Sequence, residues 1–194
     1  TGVDIITGGD GNDTISGGGG NDTFKITSGI DTITDINTLD VFVVSNGATM
    51  NATGVVSFSA TNASSNSGTA TFTTASTGGS VNMSSVGGTG GYTLLGGAQT
   101  DSLTGSAQDD IIEIKTAGAG DGDTMDGAGG SDTLKLSIGT HTLANDNLLK
   151  NIEVIETNSS GSTVVLTGQT EGFTITGGAG NDIITSGTGN DIIT

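Results

Sequence analysis

Large apolar residues return along this chain on a nine-residue beat. Ile6, Ile15, Phe24, Ile33 and Phe42 are nine positions apart, and each stands two residues after an aspartate: Asp4, Asp13, Asp22, Asp31 and Asp40. The residues flanking each apolar position are mostly polar, such as Thr14 and Ser16, Thr23 and Lys25, Thr32 and Thr34. That alternation marks a short strand with one buried face. A three-residue strand leaves six residues of each unit for a turn. The beat returns at Asp101 with Leu103, Asp110 with Ile112, Asp123 with Met125 and Asp132 with Leu134, then at Asp182 with Ile184 and Asp191 with Ile193. Asp123 follows Asp110 by 13 residues, which reads as a four-residue insertion around Thr116 to Gly120.

Residues 41–100 contain no Asp, Glu, Lys, Arg or His, yet VVSFSA (55–60), TATFTT (69–74), SVNMSS (80–85) and YTLL (92–95) still alternate as strands do. Phe58, Phe72 and Met83 are 14 and 11 residues apart, so the coils here are longer and irregular. NIEVIE (151–156), STVVLT (162–167) and GFTIT (172–176) extend the same pattern. The segments predicted are 1–43, an uncharged stretch 44–95, a degenerate block 96–143, strands across 144–176, and repeats again at 177–194. A competing reading makes 45–80 a disordered Ser/Thr/Gly linker.

A nine-residue unit with one inward side chain cannot bury itself alone, but stacked units share a core. Two units form one flattened coil, and successive coils pair through parallel ladders. The predicted fold is all-β: a parallel β-solenoid.

Composition explains why the turns need a metal. Glycine supplies 36 of 194 residues, there is no Pro, Cys or Trp, and the net charge is −17. A thin core with strong self-repulsion calls for a cationic partner. Aspartates one coil apart stack at about 4.8 Å and repel unless a cation lies between them. Calcium suits that place, accepting six to eight carboxylate and carbonyl oxygens in irregular geometry, whereas magnesium holds a tighter octahedron and keeps water. Zinc and copper favour His and Cys, of which the chain has one and none. Four Lys and no Arg exclude nucleic-acid binding, and no apolar run is long enough to span a membrane.

Nothing in the chain resembles a catalytic constellation: there is no Cys, no G-x-S-x-G and no H-E-x-x-H. Tyr92 is the single Tyr, which disfavours stacking on sugars. His141 falls nine residues after Asp132, in the ligand slot of its unit, and is read as a surface imidazole. Asp109, Asp121, Asp126 and Asp146 lie off the beat and are read as solvated, with Glu153 and Glu156 facing outward.

GGDGNDTIS (8–16), GGGGNDTFK (17–25) and GGAGNDIIT (177–185) match G-G-x-G-x-D-x-U-x, and SGTGNDIIT (186–194) nearly does. Over 2–43, 96–143 and 177–194 the chain resembles the RTX (repeats-in-toxin) family. The resemblance implies a β-roll with several calcium ions between turns of adjacent coils, held by repeat aspartates and turn carbonyls. It also implies export by a type I system and folding on extracellular calcium. Carried over by position, ions are expected between Asp4 and Asp22, Asp13 and Asp31, Asp22 and Asp40, Asp101 and Asp123, and Asp110 and Asp132. Carbonyls of Gly9, Gly11, Gly18, Gly20 and Gly29 are the further ligands expected. At the C-terminal repeats the corresponding set is Gly178, Gly180, Asp182, Gly189 and Asp191. Val164 and Phe173 occupy the slots two units before Asp182 and Asp191, so an ion there draws on sequence after Thr194 or on a neighbouring molecule. Gln99 and Gln108 stand where turn glycines belong.

In composition the chain also resembles C-terminal parts of bacterial surface-layer (S-layer) proteins and large RTX adhesins. The expected function is a non-catalytic, calcium-dependent structural segment of a secreted bacterial surface protein. It is expected to self-associate into a lattice or filament. The chain reads as a piece of a larger protein, with any cell-surface polysaccharide anchor in its other parts. The alternative is an RTX module of an adhesin or exoenzyme that drives export and folding. Outward Thr rows keep ice binding as a lesser alternative.

Overall fold

A computed structural model describes residues 1–115 and 122–194. The insertion around 116–120 and Asp121 lie outside the described residues. Among the described residues every element is a β-strand, mostly two to four residues long, and every strand pairing is parallel. The chain winds into a solenoid of stacked coils, as the beat predicts.

One ten-stranded sheet runs the length of the solenoid and takes one strand from each coil. Its inward column reads Ile15, Ile33, Ala52, Phe72, Leu94, Ile112, Leu134, Ile155, Ile175 and Ile193, each in register with the next. The step is 18 residues where two nonapeptides make a coil, as from Asp22 to Asp40. It lengthens to 22 between Asp101 and Asp123.

The wall facing this long sheet changes along the axis. A five-stranded sheet begins it, with Ile6, Phe24 and Phe42 facing inward. A second five-stranded sheet follows, carrying Phe58, Val81, Leu103, Met125 and Leu149. A three-stranded sheet ends it with His141, Val164 and Ile184. Where the first two overlap, between Ser57 and Gly88, each coil has three sides. Its third side is the polar pair Ser65–Asn66 stacked under Gly87–Gly88.

The widened section holds the largest side chains. Phe42, Phe58, Phe72 and Tyr92 form one ring cluster with centroids 5.3 to 6.4 Å apart, Phe58 and Phe72 being stacked at 22°. Aromatic pairs of this kind add about 0.5–1.5 kcal/mol each beyond their buried area. Residues 45–80 therefore carry strands and core. At both ends the core thins to single Ile and Phe side chains per coil, and Val3, Ile5, Ile183, Ile192 and Ile193 are exposed.

His141 departs from expectation. It is buried, in register with Val164 and Ile184 in the inward apolar column, and its Nε2 lies 2.8 Å from the Ser137 carbonyl. The coil between Asp132 and His141 bends into a third side, so counting nine from Asp132 lands on a core position.

Candidate metal sites along the turn ladders

The repeat aspartates sit at the entry to strands, and in those beyond the first coil the first oxygen does the same job. Oδ1 accepts the backbone N–H of the residue in the same slot one coil earlier. Asp22, Asp31 and Asp40 bond the amides of Asp4, Asp13 and Asp22 at 3.0, 3.0 and 2.9 Å. Asp123 and Asp132 bond those of Asp101 and Asp110 at 2.8 and 2.7 Å. All five expected pairs are thus brought together. The two pairs that span the insertion also stay in step, since Ser102, Leu103 and Thr104 keep register with Thr124, Met125 and Asp126, and Ile111 to Ile114 with Thr133 to Leu136. Asp101 and Asp110 extend the rule to Gly79 and Tyr92, whose amides they accept at 2.8 and 2.6 Å.

The second oxygen divides the aspartates. In Asp40 it accepts the Asn37 amide and side-chain NH2, both at 2.9 Å. In Asp101 it accepts Gly97 N–H at 2.8 Å, and in Asp110 it accepts both the amide and the hydroxyl of Ser106. These three carboxylates are closed by their own turns. In Asp13, Asp22, Asp31 and Asp132 the Oδ2 atom is buried and has no hydrogen-bond partner. A buried, unpaired carboxylate oxygen costs several kcal/mol unless a cation meets it. No basic side chain does: the ion pair found among the described residues joins exposed Lys135 to Glu156 at 3.4 Å.

The strain shows in protonation. Burial pushes Asp132 up to about 7; the Asp110 amide opposes this, and the charges of Asp110, Glu153 and Asp109 reinforce it. Burial also raises Asp40 and Asp110 above the usual carboxylate range.

Glycine makes the room. A Cβ on Gly8 would lie 2.4 Å from Asp31 Oδ2 and 3.2 Å from Asp13 Oδ2, so both orphan oxygens border the space beside that residue. Gly17, Gly105 and Gly127 face Asp22, Asp110 and Asp132 in the same way. This first glycine of the unit was not among the residues singled out from sequence, although its place five residues before each aspartate was visible. The glycines that were singled out serve the turn itself. Gly9, Gly11, Gly18, Gly20, Gly29, Gly178 and Gly180 have φ between 66° and 136°. At Gly29 a Cβ would also sit 1.7 Å from the Gly11 carbonyl of the coil below. Gly189 is not among the positive-φ glycines; it is held by contact, since a Cβ there would lie 2.0 Å from the Glu171 carbonyl. The carbonyls of Gly9, Gly11 and Gly29 already accept Ser28 Oγ, Ile30 N–H and Thr49 N–H. A carbonyl keeps a second lone pair after one such bond.

Asp182 and Asp191 cap Ser162 and Phe173 at 2.8 and 3.0 Å. Ser162, not Val164, is therefore the partner slot of Asp182, because this coil is 20 residues long. Glu153 does not simply face outward: its Oε2 accepts the Asp132 amide at 2.7 Å, taking the place of the next aspartate in the column. Among the acids off the beat, Asp109 is exposed, while Asp126 and Asp146 are half-buried and cap Ala128 and Thr170.

These features define a class: a parallel β-solenoid whose turns carry inward-facing carboxylate ladders suited to hard cations. The model of the RTX calcium-binding nonapeptide repeat (4 copies) matches residues 1–34, 86–113 and 174–194. Over those stretches the chain carries the RTX calcium-binding nonapeptide repeat. No curated protein and no solved structure matches it.

Proposed function

We propose that this chain is a structural module that binds several calcium ions between its turns and completes its fold on doing so. The observation that supports this most directly is the set of buried Oδ2 atoms on Asp13, Asp22, Asp31 and Asp132 with no partner in the protein. At the N-terminal end Asp13 and Asp31 hold an ion beside Gly8, and Asp22 holds another, with turn carbonyls completing each shell. Calcium supplies the positive charge that the sequence withholds, and its binding free energy becomes folding free energy. Asp40, Asp101 and Asp110 act first as caps, since their oxygens are already engaged.

RTX repeats occur in secreted bacterial proteins, and this reading places the module outside the cell, where calcium is abundant. Among the described residues no helix is long and apolar enough to cross a membrane. The absence of charge across 41–100 suits lateral packing of solenoids in a surface layer. The test is circular dichroism during calcium titration from EGTA, with magnesium as control and light scattering in parallel. Growth of β signal with calcium alone supports the folding role, and scattering that rises with it supports assembly. An unchanged spectrum removes the calcium role, and particles that stay monomeric at millimolar calcium remove the lattice.

A further inference from the structure

The outward face of the long sheet changes character along the axis. Its first outward column runs Thr14, Thr32, Asn51, Thr71 and Thr93, and then turns to Ile111. Thr133 and Val154 follow before threonine returns at Thr174. The second outward column passes from Thr73 to Leu95, then reads Glu113, Lys135 and Glu156 before Thr176. Charges of alternating sign thus occupy three successive rungs, about 4.8 Å apart, in two columns that otherwise carry none.

Within the molecule this ladder is half satisfied. Lys135 meets Glu156 at 3.4 Å, while Glu113 has no ion pair among the described residues. Lys115 follows Glu113 by two residues, so the patch holds two of the chain's four lysines. Beside the ladder lies a groove of about 500 Å³, lined in part by Lys115, Leu136, Ile138 and Thr157. Ile138 is 54% exposed there.

Resting on the assembly part of the proposed function, we infer that this patch is a contact between two copies of the chain. The two sheets face each other across a two-fold axis that runs parallel to the strands, between the rungs of Glu113 and Lys135. Such an axis reverses the order of the rungs and keeps position along each strand. Glu113 of each copy therefore faces the partner's Lys135, and the contact is made twice, as in any two-fold interface. Ile111 faces the partner's Thr133, and Val154 the partner's Thr93. Ile138 lies at the rung of Lys135, so the rotation brings it to the Lys115 end of the partner's groove. Its burial supplies apolar area, and the charges fix partner and register.

The order of the charges selects this occupant. A polyanion or a polycation meets repulsion from part of the ladder. A second copy centred on Lys135 opposes Lys135 to itself and Glu113 to Glu156. Centred between Lys135 and Glu156, it leaves Glu113 against the partner's Thr176, unpaired. The register between Glu113 and Lys135 gives each Glu113 a lysine and keeps Glu156 beside Lys135.

Sedimentation velocity of the whole chain in millimolar calcium, over a range of protein concentrations, tests this contact. Circular dichroism checks that each variant keeps the wild-type fold. The wild type should associate as concentration rises. Lys135→Glu and Glu113→Lys, each alone, set like charges face to face twice and should weaken association by at least about tenfold. An equimolar mixture of the two variants should associate again, because every opposed pair regains opposite sign. A Lys135→Glu chain that associates as the wild type does refutes this contact and leaves assembly to another face. A mixture that stays monomeric refutes the two-fold register. A wild type that gains β signal with calcium yet stays monomeric overturns the contact and leaves the calcium-dependent fold standing.

Discussion

Two stretches of the same column on the long sheet hold opposite kinds of residue. At rungs 13 and 31 it holds Asp13 and Asp31; over the next three rungs it holds Met50, Ala70 and Tyr92, all buried. It then returns to acids at Asp110, Asp132 and Glu153. The strand ladder of the long sheet runs through both stretches. What differs is how the inside of each turn is closed. In the acidic turns Asp13, Asp31 and Asp132 bury an oxygen that has no partner, while Asp110 is closed by Ser106. The middle turns bury hydrocarbon and add a third side to the coil, which makes room for four aromatic rings. The middle is thus closed by hydrocarbon, and under the proposed calcium reading the acidic turns are closed by metal.

This contrast can be broken at its strongest point first. Phe72→Ala removes the ring that touches Phe42, Phe58 and Tyr92. It should cost about 3–5 kcal/mol, equally in calcium and in EGTA, as read from denaturant melts. A cost that appears only in calcium would mean that the middle also depends on metal. Asp31→Asn should behave in the opposite way. In excess calcium it loses an ion, a loss of about 2–3 kcal/mol when calcium is near a hundred times its dissociation constant. In EGTA it removes a buried charge while keeping an oxygen for the Asp13 amide, and stability should hold or rise.

Protons give a smaller effect of defined sign. In the metal-free protein Asp132 titrates at about 7, above the ordinary value near 3.8, because burial favours its neutral form. Between those two values the folded state binds the extra proton, so stability falls as pH rises through the window. The melting temperature in EGTA should therefore be higher at pH 5 than at pH 7.5. With calcium bound, protons compete with the ion and the trend should reverse. A metal-free melting temperature that climbs towards pH 7.5 would contradict the burial of an uncompensated Asp132.

Much of this was legible in the sequence because the nine-residue beat fixes side-chain direction. The inward Ile and Phe positions, the five stacked aspartate pairs and the strands at 69–74 and 92–95 all follow from spacing and alternation. Three things did not follow. The third side of the middle coils is made of Ser65–Asn66 and Gly87–Gly88, which carry no hydrophobic signal at all. Coil length varies from 18 to 24 residues, so counting by nines misplaced His141 and chose Val164 over Ser162 as the partner of Asp182. The double role of each aspartate was also hidden. Spacing shows that carboxylates stack, but only the backbone geometry shows that one oxygen is spent on an amide. Whether the other is closed depends on a local donor such as Asn37 or Ser106.

The most direct test of this account is amide hydrogen exchange, mapped by segment, in calcium and in EGTA. The prediction is that EGTA opens the amides of 14–33 and 183–193 to rapid exchange while those of 69–74 and 92–96 stay protected in both conditions. Uniform loss of protection along the whole chain, or none anywhere, would contradict the division between metal-closed and hydrocarbon-closed turns.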